Sequence, residues 1–280
     1  MAGFRLVGVV QRYLPGMSIQ LFSLALLMSL AAACGSSSET ASTPAATVAA
    51  TPQPDPDPPA LGIMPIQHAT FVLTAGDQVI YNDPVGGPEA FASIPAPTIV
   101  LVSDIHGDHL DSATLEALVT EEVSLVVPDA VAERLSPKLA AQATVLANGA
   151  SITVNGIGIE AIPMYNLREE ALKFHTKGRG NGYVLTVAGE RIYIAGDTED
   201  IPEMRALQNI DRAFVPMNLP YTMPVAAAAD AVLAFAPRIV YPYHFRGKGG
   251  LSDTAQFRAL VEGATDDVRV VGLSWYPPQD

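Results

Sequence analysis

The chain has 280 residues, 49% of them hydrophobic and 16% charged, with a formal net charge of -13 at pH 7. That acidity, without a basic stripe, argues against a nucleic-acid partner, which would be bound through clustered Lys and Arg. A single cysteine allows no internal disulfide, so the fold must rest on its apolar core or on bound metal.

Arg5 and Arg12 lead into a nearly uncharged apolar run, Met17 to Ala33, which closes on Leu30-Ala31-Ala32-Ala33 before Cys34. Residues 1–34 resemble a bacterial lipoprotein signal, with Ala31 where leucine is usual three residues before the cysteine. The resemblance implies export, lipidation of Cys34 and attachment to a membrane of the cell envelope, facing the periplasm or the outer surface. An ordinary cleaved secretory signal or an uncleaved anchor would show the same charged start and apolar run. Residues 35–60 are rich in Ser, Thr, Ala and Pro and end in Pro52-Gln53-Pro54-Asp55-Pro56-Asp57-Pro58-Pro59. Such a run has little apolar bulk to offset its ordering entropy and reads as a disordered linker, semi-rigid at its proline-rich end. Residues 61–280 have the length of one large domain.

Within that domain, Thr70 to Leu73 and Val79 to Tyr81 read as a hairpin around Gly76. Thr98 to Val102 is a continuous apolar strand, as for one covered on both faces. Asp111-Ser112 offers an N-cap before Leu115, Leu118 and Val119 at helical spacing. A strand at Leu125 to Val127 and a short helix from Ala130 to Leu135 follow. Ile152 to Val154 and Ile157 to Ile162 flank Asn155-Gly156, a strong turn signal. Tyr183 to Val187 pairs with Arg191 to Ile194, and Ile201 to Leu207 is helical with Pro202 in its first turn. Ala213 to Val215 is a strand, Val225 to Phe235 an alanine-rich helix, and Ile239 to Tyr241 a strand. A helix capped at Ser252-Asp253 runs through Leu260, and Val268 to Val271 is the last strand. Hairpins followed by alternating strands and helices, twice over, predict an α/β fold of two packed sheets with helices outside.

Histidine is scarce, five residues in all, and its placement is ordered. The dense segment is Ser103-Asp104-Ile105-His106-Gly107-Asp108-His109, directly after the strand ending at Val102. His175, Asp197 in Gly196-Asp197-Thr198, and His244 after Tyr243 complete the pattern. Imidazole and carboxylate bind Zn, Mn or Fe. Alternate residues of an extended segment share a face, so Asp104, His106 and Asp108 can converge. Each candidate follows a strand, where α/β active sites gather.

Together with His68 in the first hairpin and Asp83-Pro84 after it, these motifs resemble the metallo-β-lactamase superfamily of metal-dependent hydrolases over nearly all of residues 61–280. Within it the chain is most similar to the ascorbate-6-phosphate lactonase-like branch. The resemblance implies an αββα sandwich of two mixed sheets with a binuclear site at one edge. The family loop reads His-x-His-x-Asp-His, and this chain departs from it with Asp104 at the first position. Mapped residue by residue, one metal would take Asp104, His106 and His175, the other Asp108, His109 and His244, with Asp197 bridging. Two divalent ions are implied, zinc first, with manganese or iron favoured somewhat by the harder Asp104. Asp108 and His68 are the candidate catalytic residues. His68 would shape the substrate or protonate a leaving group, or else be a satisfied core histidine.

The expected reaction is hydrolysis of a small-molecule ester, lactone, amide or phosphoester by metal-activated water. The alternative is a lipid-anchored metal- or ligand-binding protein of the same fold without turnover, a reading motivated by Asp104; a redox role is a third. Asp83 reads as a turn residue. Tyr165, Asn166, Arg168 and Tyr221 read as pocket walls or loop anchors. Lys177, Arg179, Arg246 and Lys248 read as anion-binding or solvated charges. Gly247-Lys248-Gly249-Gly250 lacks the spacing of a phosphate loop, and no Gly-x-Ser-x-Gly elbow occurs.

Overall fold

Alternation along the strands builds the architecture. In the computed structural model, which describes residues 61–276, β2 (Thr70–Ala75) places Phe71 and Leu73 in one core and Val72 in another. Likewise β10 (Glu190–Ile194) sends Ile192 and Ile194 one way and Tyr193 the other. Side chains at period two thus serve two faces of each sheet. The first sheet runs in order through β1 (Gly62–Gln67), β2, β3 (Gln78–Asn82), β4 (Ile99–Leu101), β5 (Ser124–Val127) and β6 (Ala143–Val145). The second contains β7 (Ser151–Val154), β8 (Ile157–Met164), β9 (Gly180–Val187), β10, β11 (Arg212–Pro216), β12 (Ile239–Tyr243) and β15 (Arg269–Val270), with β15 beside β12. Both sheets are mixed: β1–β3 and β7–β10 pair antiparallel, whereas β3–β6 and β10, β11, β12 and β15 pair parallel.

Phe71, Ile99, Leu101, Tyr183, Leu185 and Phe214 fill the space between the sheets. Outside the first sheet pack α1 (Ser112–Leu118), α2 (Asp129–Ala132) and α3 (Pro137–Gln142), through Leu115, Val131 and Leu139. Outside the second pack α4 (Pro202–Arg205), α5 (Val225–Phe235) and α6 (Thr254–Glu262), through Met204, Val232 and Phe257. The result is the expected αββα sandwich. A two-stranded ribbon, β13 (Arg246–Gly247) with β14 (Gly250–Leu251), follows β12. No helix among the described residues is long and apolar enough to cross a membrane. The expected signal and linker, residues 1–34 and 35–60, lie outside the described residues, as do residues 277–280.

Several elements differ from their sequence expectation. β1 was not foreseen: it is an edge strand containing Gly62 and Pro65, with a bulge between Pro65 and Gln67 that breaks the alternating signal. The helix expected from Ala130 to Leu135 ends at Ala132, and Ser136 caps a separate α3 by accepting from Leu139 N. The edge strand β6 and the ribbon β13–β14 are three and two residues long per strand, too short for a periodic pattern.

Candidate metal centre

Every residue of the candidate site stands in a loop at a strand end. His68 occupies the β1–β2 turn, and Asp104 to His109 follow β4. His175 lies between β8 and β9, Asp197 follows β10, and His244 follows β12. Asp111 secures the far end of the dense loop by capping α1, accepting from Ala113 N and Thr114 N. His68, Asp83 and His244 have positive φ, at 54°, 45° and 45°. Non-glycine residues adopt this left-handed region only when surrounding structure imposes it, and such strain concentrates at functional sites.

The loops bring the seven candidate ligands, with His68, into three groups, two of which share His244: Asp104, His106 and His175; His109, Asp197 and His244; and His68, Asp108 and His244. His109 Nε2 lies 3.2 Å from His244 Nε2 and 3.4 Å from Asp197 Oδ2. His244 Nε2 lies 3.2 Å from Asp197 Oδ1 and 3.4 Å from Asp108 Oδ2. His175 Nε2 lies 3.2 Å from the second Asp197 oxygen. Asp197 therefore stands between the two histidine halves.

A second layer of partners fixes the rings. Asp83 Oδ2 accepts from His109 Nδ1 at 2.8 Å and from Ser103 Oγ at 2.7 Å, while Asp83 Oδ1 accepts from Ser103 N. The Tyr221 carbonyl accepts from His175 Nδ1 at 3.1 Å. Asn218 contacts His244 Nδ1 at 3.0 Å. Ligation through His244 Nε2 requires this amide to be turned so that Oδ1 accepts from Nδ1–H, a flip that exchanges two atoms of similar size. His109 and His175 thus direct their Nε2 lone pairs inward, and His244 does so once the Asn218 amide, whose Nδ2 stands 3.0 Å from Nδ1, is turned. That is the arrangement by which outer hydrogen bonds orient metal-binding imidazoles.

The electrostatics match. Burial would weaken the charged form of His109, but the carboxylates of Asp197 and Asp83 overcome it and raise its pKa well above normal. Burial would raise Asp197, yet His244 and His109 hold it far below the usual carboxylate range. Asp108 is also depressed: burial opposes this, but hydrogen bonds to His244 and His68 prevail. The cluster thus calls for positive charge. Asp197 Oδ1 is buried without a hydrogen-bond partner, and two imidazole nitrogens face each other beside it. These donors fit divalent cations. Among the described residues no lysine or arginine forms an ion pair with Asp83, Asp108 or Asp197.

Asp104 differs. It is fully buried, and Arg179 grips it with Nε to Oδ1 at 3.0 Å and Nη2 to Oδ2 at 2.8 Å, while His106 Nδ1 lies 2.7 Å from Oδ2. Arg179 is therefore neither a solvated charge nor an anion binder. Lys177 is likewise committed, to Glu203 and the Tyr165 hydroxyl. Arg168 anchors its loop to Glu199, and Asn166 donates to the carbonyls of Ala171 and Tyr221. Arg246 pairs with no carboxylate among the described residues and stacks 4.1 Å from the Tyr276 ring centroid. Asp83 is more than a turn residue, and Ser103 and Asn218 join it behind the histidines; these contacts depend on chain crossings that local spacing does not encode.

Two adjoining cavities open over the cluster, about 330 Å³ and about 640 Å³, sharing His68, Asp108 and Arg246. Phe174 and Tyr221 supply an aromatic wall to the smaller one. His68 Nδ1 lies 2.7 Å from the Tyr276 hydroxyl, and its Nε2 lies 3.5 Å from Asp108 Oδ2. Burial is the main reason that the His68 pKa falls below normal, against a hydrogen bond donated to Asp108 that raises it. Burial also pushes Tyr276 up to about 12, keeping it a neutral hydroxyl.

Replacing Asp83 by alanine frees the His109 ring without touching a direct ligand. Metal affinity is expected to fall about 10- to 100-fold, the usual effect of losing such an outer partner. Competition with a chromogenic chelator measures it; unchanged affinity contradicts the role.

Residues 63–244 match the β-lactamase superfamily domain. A metal-dependent hydrolase of Pyrococcus abyssi is 30% identical over 216 residues, covering 74% of this chain and 93% of that protein. A metal-dependent hydrolase of Methanoculleus marisnigri is 32% identical over 215 residues, covering 74% of this chain and 91% of its own length. A crystal structure from Parabacteroides distasonis superposes with a TM-score of 0.67 at 37% identity, covering 75% of this chain and 92% of that one. A metallo hydrolase from Ignicoccus hospitalis shares the fold, with a TM-score of 0.64 at 22% identity and coverage of 76% and 94%.

Proposed function

Because the chain belongs to the metallo-β-lactamase superfamily, we propose that it is a metal-dependent hydrolase cleaving a small ester, lactone, amide or phosphoester. The observation that carries this reading is the buried meeting of His109 Nε2, His244 Nε2 and Asp197, with each imidazole Nδ1 already engaged elsewhere. His109, His244 and Asp108 would hold one cation, and His106 and His175 with Asp104 a second, with Asp197 between them. When bound, divalent cations supply Lewis acidity and make hydroxide available near neutral pH. Each half offers two imidazoles and one aspartate beside Asp197, a donor set that suits zinc, manganese or iron.

The protein's own groups handle the proton and the substrate. Asp108 lines both cavities and is placed to accept the proton of the attacking water. From there the proton can pass to His68 Nε2, and His68 can deliver it to the departing group. The lowered basicity of His68 favours that delivery, and Tyr276 holds its ring from the far side. Phe174 and Tyr221 would take an apolar part of the substrate, while Arg246 favours one that carries an anionic group. The likeness to the ascorbate-6-phosphate lactonase-like branch puts lactones among the first compounds to try. Metal analysis combined with a hydrolysis screen of paired anionic and neutral esters, lactones and phosphoesters tests the reading. Bound divalent metal with turnover, faster for the anionic member of a pair, is expected; full turnover by metal-stripped protein overturns it.

We also infer from its sequence that the hydrolase is exported and tethered at Cys34 to an envelope membrane. Cys34→Ser is expected to shift the protein from the membrane to the soluble fraction. Retention of the variant in membranes contradicts lipidation at that residue.

A further inference from the structure

We propose that Arg179 makes the two halves of the centre unequal, so that the half built on His109 and His244 fills first and the half containing Asp104 binds its cation more weakly. This rests on the metal-centre reading above and concerns how that centre loads.

Asp104 stands where the family loop has a histidine, and Arg179 has the geometry of a dedicated partner for it. Its guanidinium takes both carboxylate oxygens and makes a third contact, Nη2 to the Phe174 carbonyl, at 2.5 Å. The Arg179 side chain is only 17% exposed, and that of Asp104 is fully buried. The backbone enforces the pairing. Asn181 N donates to the Ser103 carbonyl at 3.0 Å, binding the start of β9 to the segment that bears Asp104. Between Arg179 and Asn181, a Cβ on Gly180 would come within 2.7 Å of that same carbonyl oxygen, so only glycine allows the approach.

Two consequences follow for a cation. A carboxylate offers about four lone-pair positions, and Arg179 Nε, Arg179 Nη2 and the His106 ring already address three of them at Asp104. The guanidinium also neutralises Asp104 and repels any cation beside it, at short range and out of solvent. That half retains His106, His175 and a share of Asp197. The other half keeps Asp108, Asp197 and, behind His109, Asp83, none of them paired with an arginine or lysine among the described residues. More uncompensated negative charge attracts the first ion more strongly.

Cobalt titration of the metal-stripped protein, followed by visible absorbance and calorimetry, tests the order. The native protein is expected to bind two ions in steps separated by at least about tenfold in affinity, or to bind one ion only. Arg179→Met should leave the first step in place and tighten the second by about tenfold or more, because it returns Asp104 to the cation. Should that variant fail to fold, the double variant Arg179→Met/Asp104→Asn decides. It removes both charges of the pair and leaves the local net charge unchanged, so it should change the second step by less than about threefold. A loss there of about a hundredfold would mark Asp104 as a full anionic ligand and overturn the proposal. Two equal steps in the native protein, or an unchanged second step in Arg179→Met, also overturn it while leaving the metal centre intact. No cobalt binding at all removes the metal centre itself.

Discussion

Chelation is expected to lower the melting temperature of the purified protein by about 8–16 °C, reversed on adding back the metal. A cation present at about a thousand times its dissociation constant stabilises by about 4.1 kcal/mol, and each kcal/mol moves the midpoint of a domain this size by about 2–4 °C. The physical source is on view in the site: Asp83, Asp104 and Asp197 are buried, and without a cation the latter's charge is met only by histidine protons. The chelated protein should also carry a distinctive pH dependence. Since His109 is raised well above its normal value, its contribution is fully present below the ordinary histidine value of 6.5 and is lost as pH rises from there through the folded-state pKa. Since Asp197 is depressed, its contribution is present above the normal carboxylate range and is lost as pH falls through its folded-state pKa. Calorimetric melts with and without chelator across pH check both statements. A melting temperature indifferent to chelator refutes a metal-stabilised core to the site.

Asp197→Ala is expected to lower kcat/KM by about a thousandfold or more, equivalent to about 4 kcal/mol of lost transition-state stabilisation. Among the described residues no other carboxylate pairs with both histidine halves: one Asp197 oxygen faces His244, and the other faces His109 and His175. Its removal takes away the negative charge that would let two cations sit close together, as proposed above, and bound metal should fall in parallel. A structural role predicts a different pattern. In that case the variant would melt lower than the native protein when both are chelated. The site predicts instead that the variant loses most of its response to chelator, because the uncompensated Asp197 Oδ1 has gone with the substitution. Kinetics, metal content and paired melts on the same preparation separate these outcomes; a variant with native turnover and native metal content ends the assignment of Asp197.

Much of this was legible from residue order. Thr98 to Val102 was recognisable as a doubly covered strand, and Val100 and Leu101 do serve opposite faces of the first sheet. α5 appears over the expected Val225–Phe235, where a run of alanines favours helix and Pro224 supplies no competing donor at its start. The seven candidate ligands could be singled out because each follows a strand or turn, and strand ends of one sheet edge converge by construction. Arg168 and Asn166 proved to be loop anchors, an alternative that their types alone could not settle.

What order determined, then, is what depends on neighbours: strand and helix periodicity, turn chemistry and the ordered histidines and aspartates. What only the tertiary structure decided is which distant side chains complete one another. Arg179 lies 75 positions from Asp104, Tyr276 lies 208 from His68, and Asp83 lies 26 from His109. Such pairs are selected by sheet register and by the enforced positive φ of His68, Asp83 and His244. No local propensity carries that information, because a buried charge takes whichever partner the packed backbone brings within hydrogen-bonding reach.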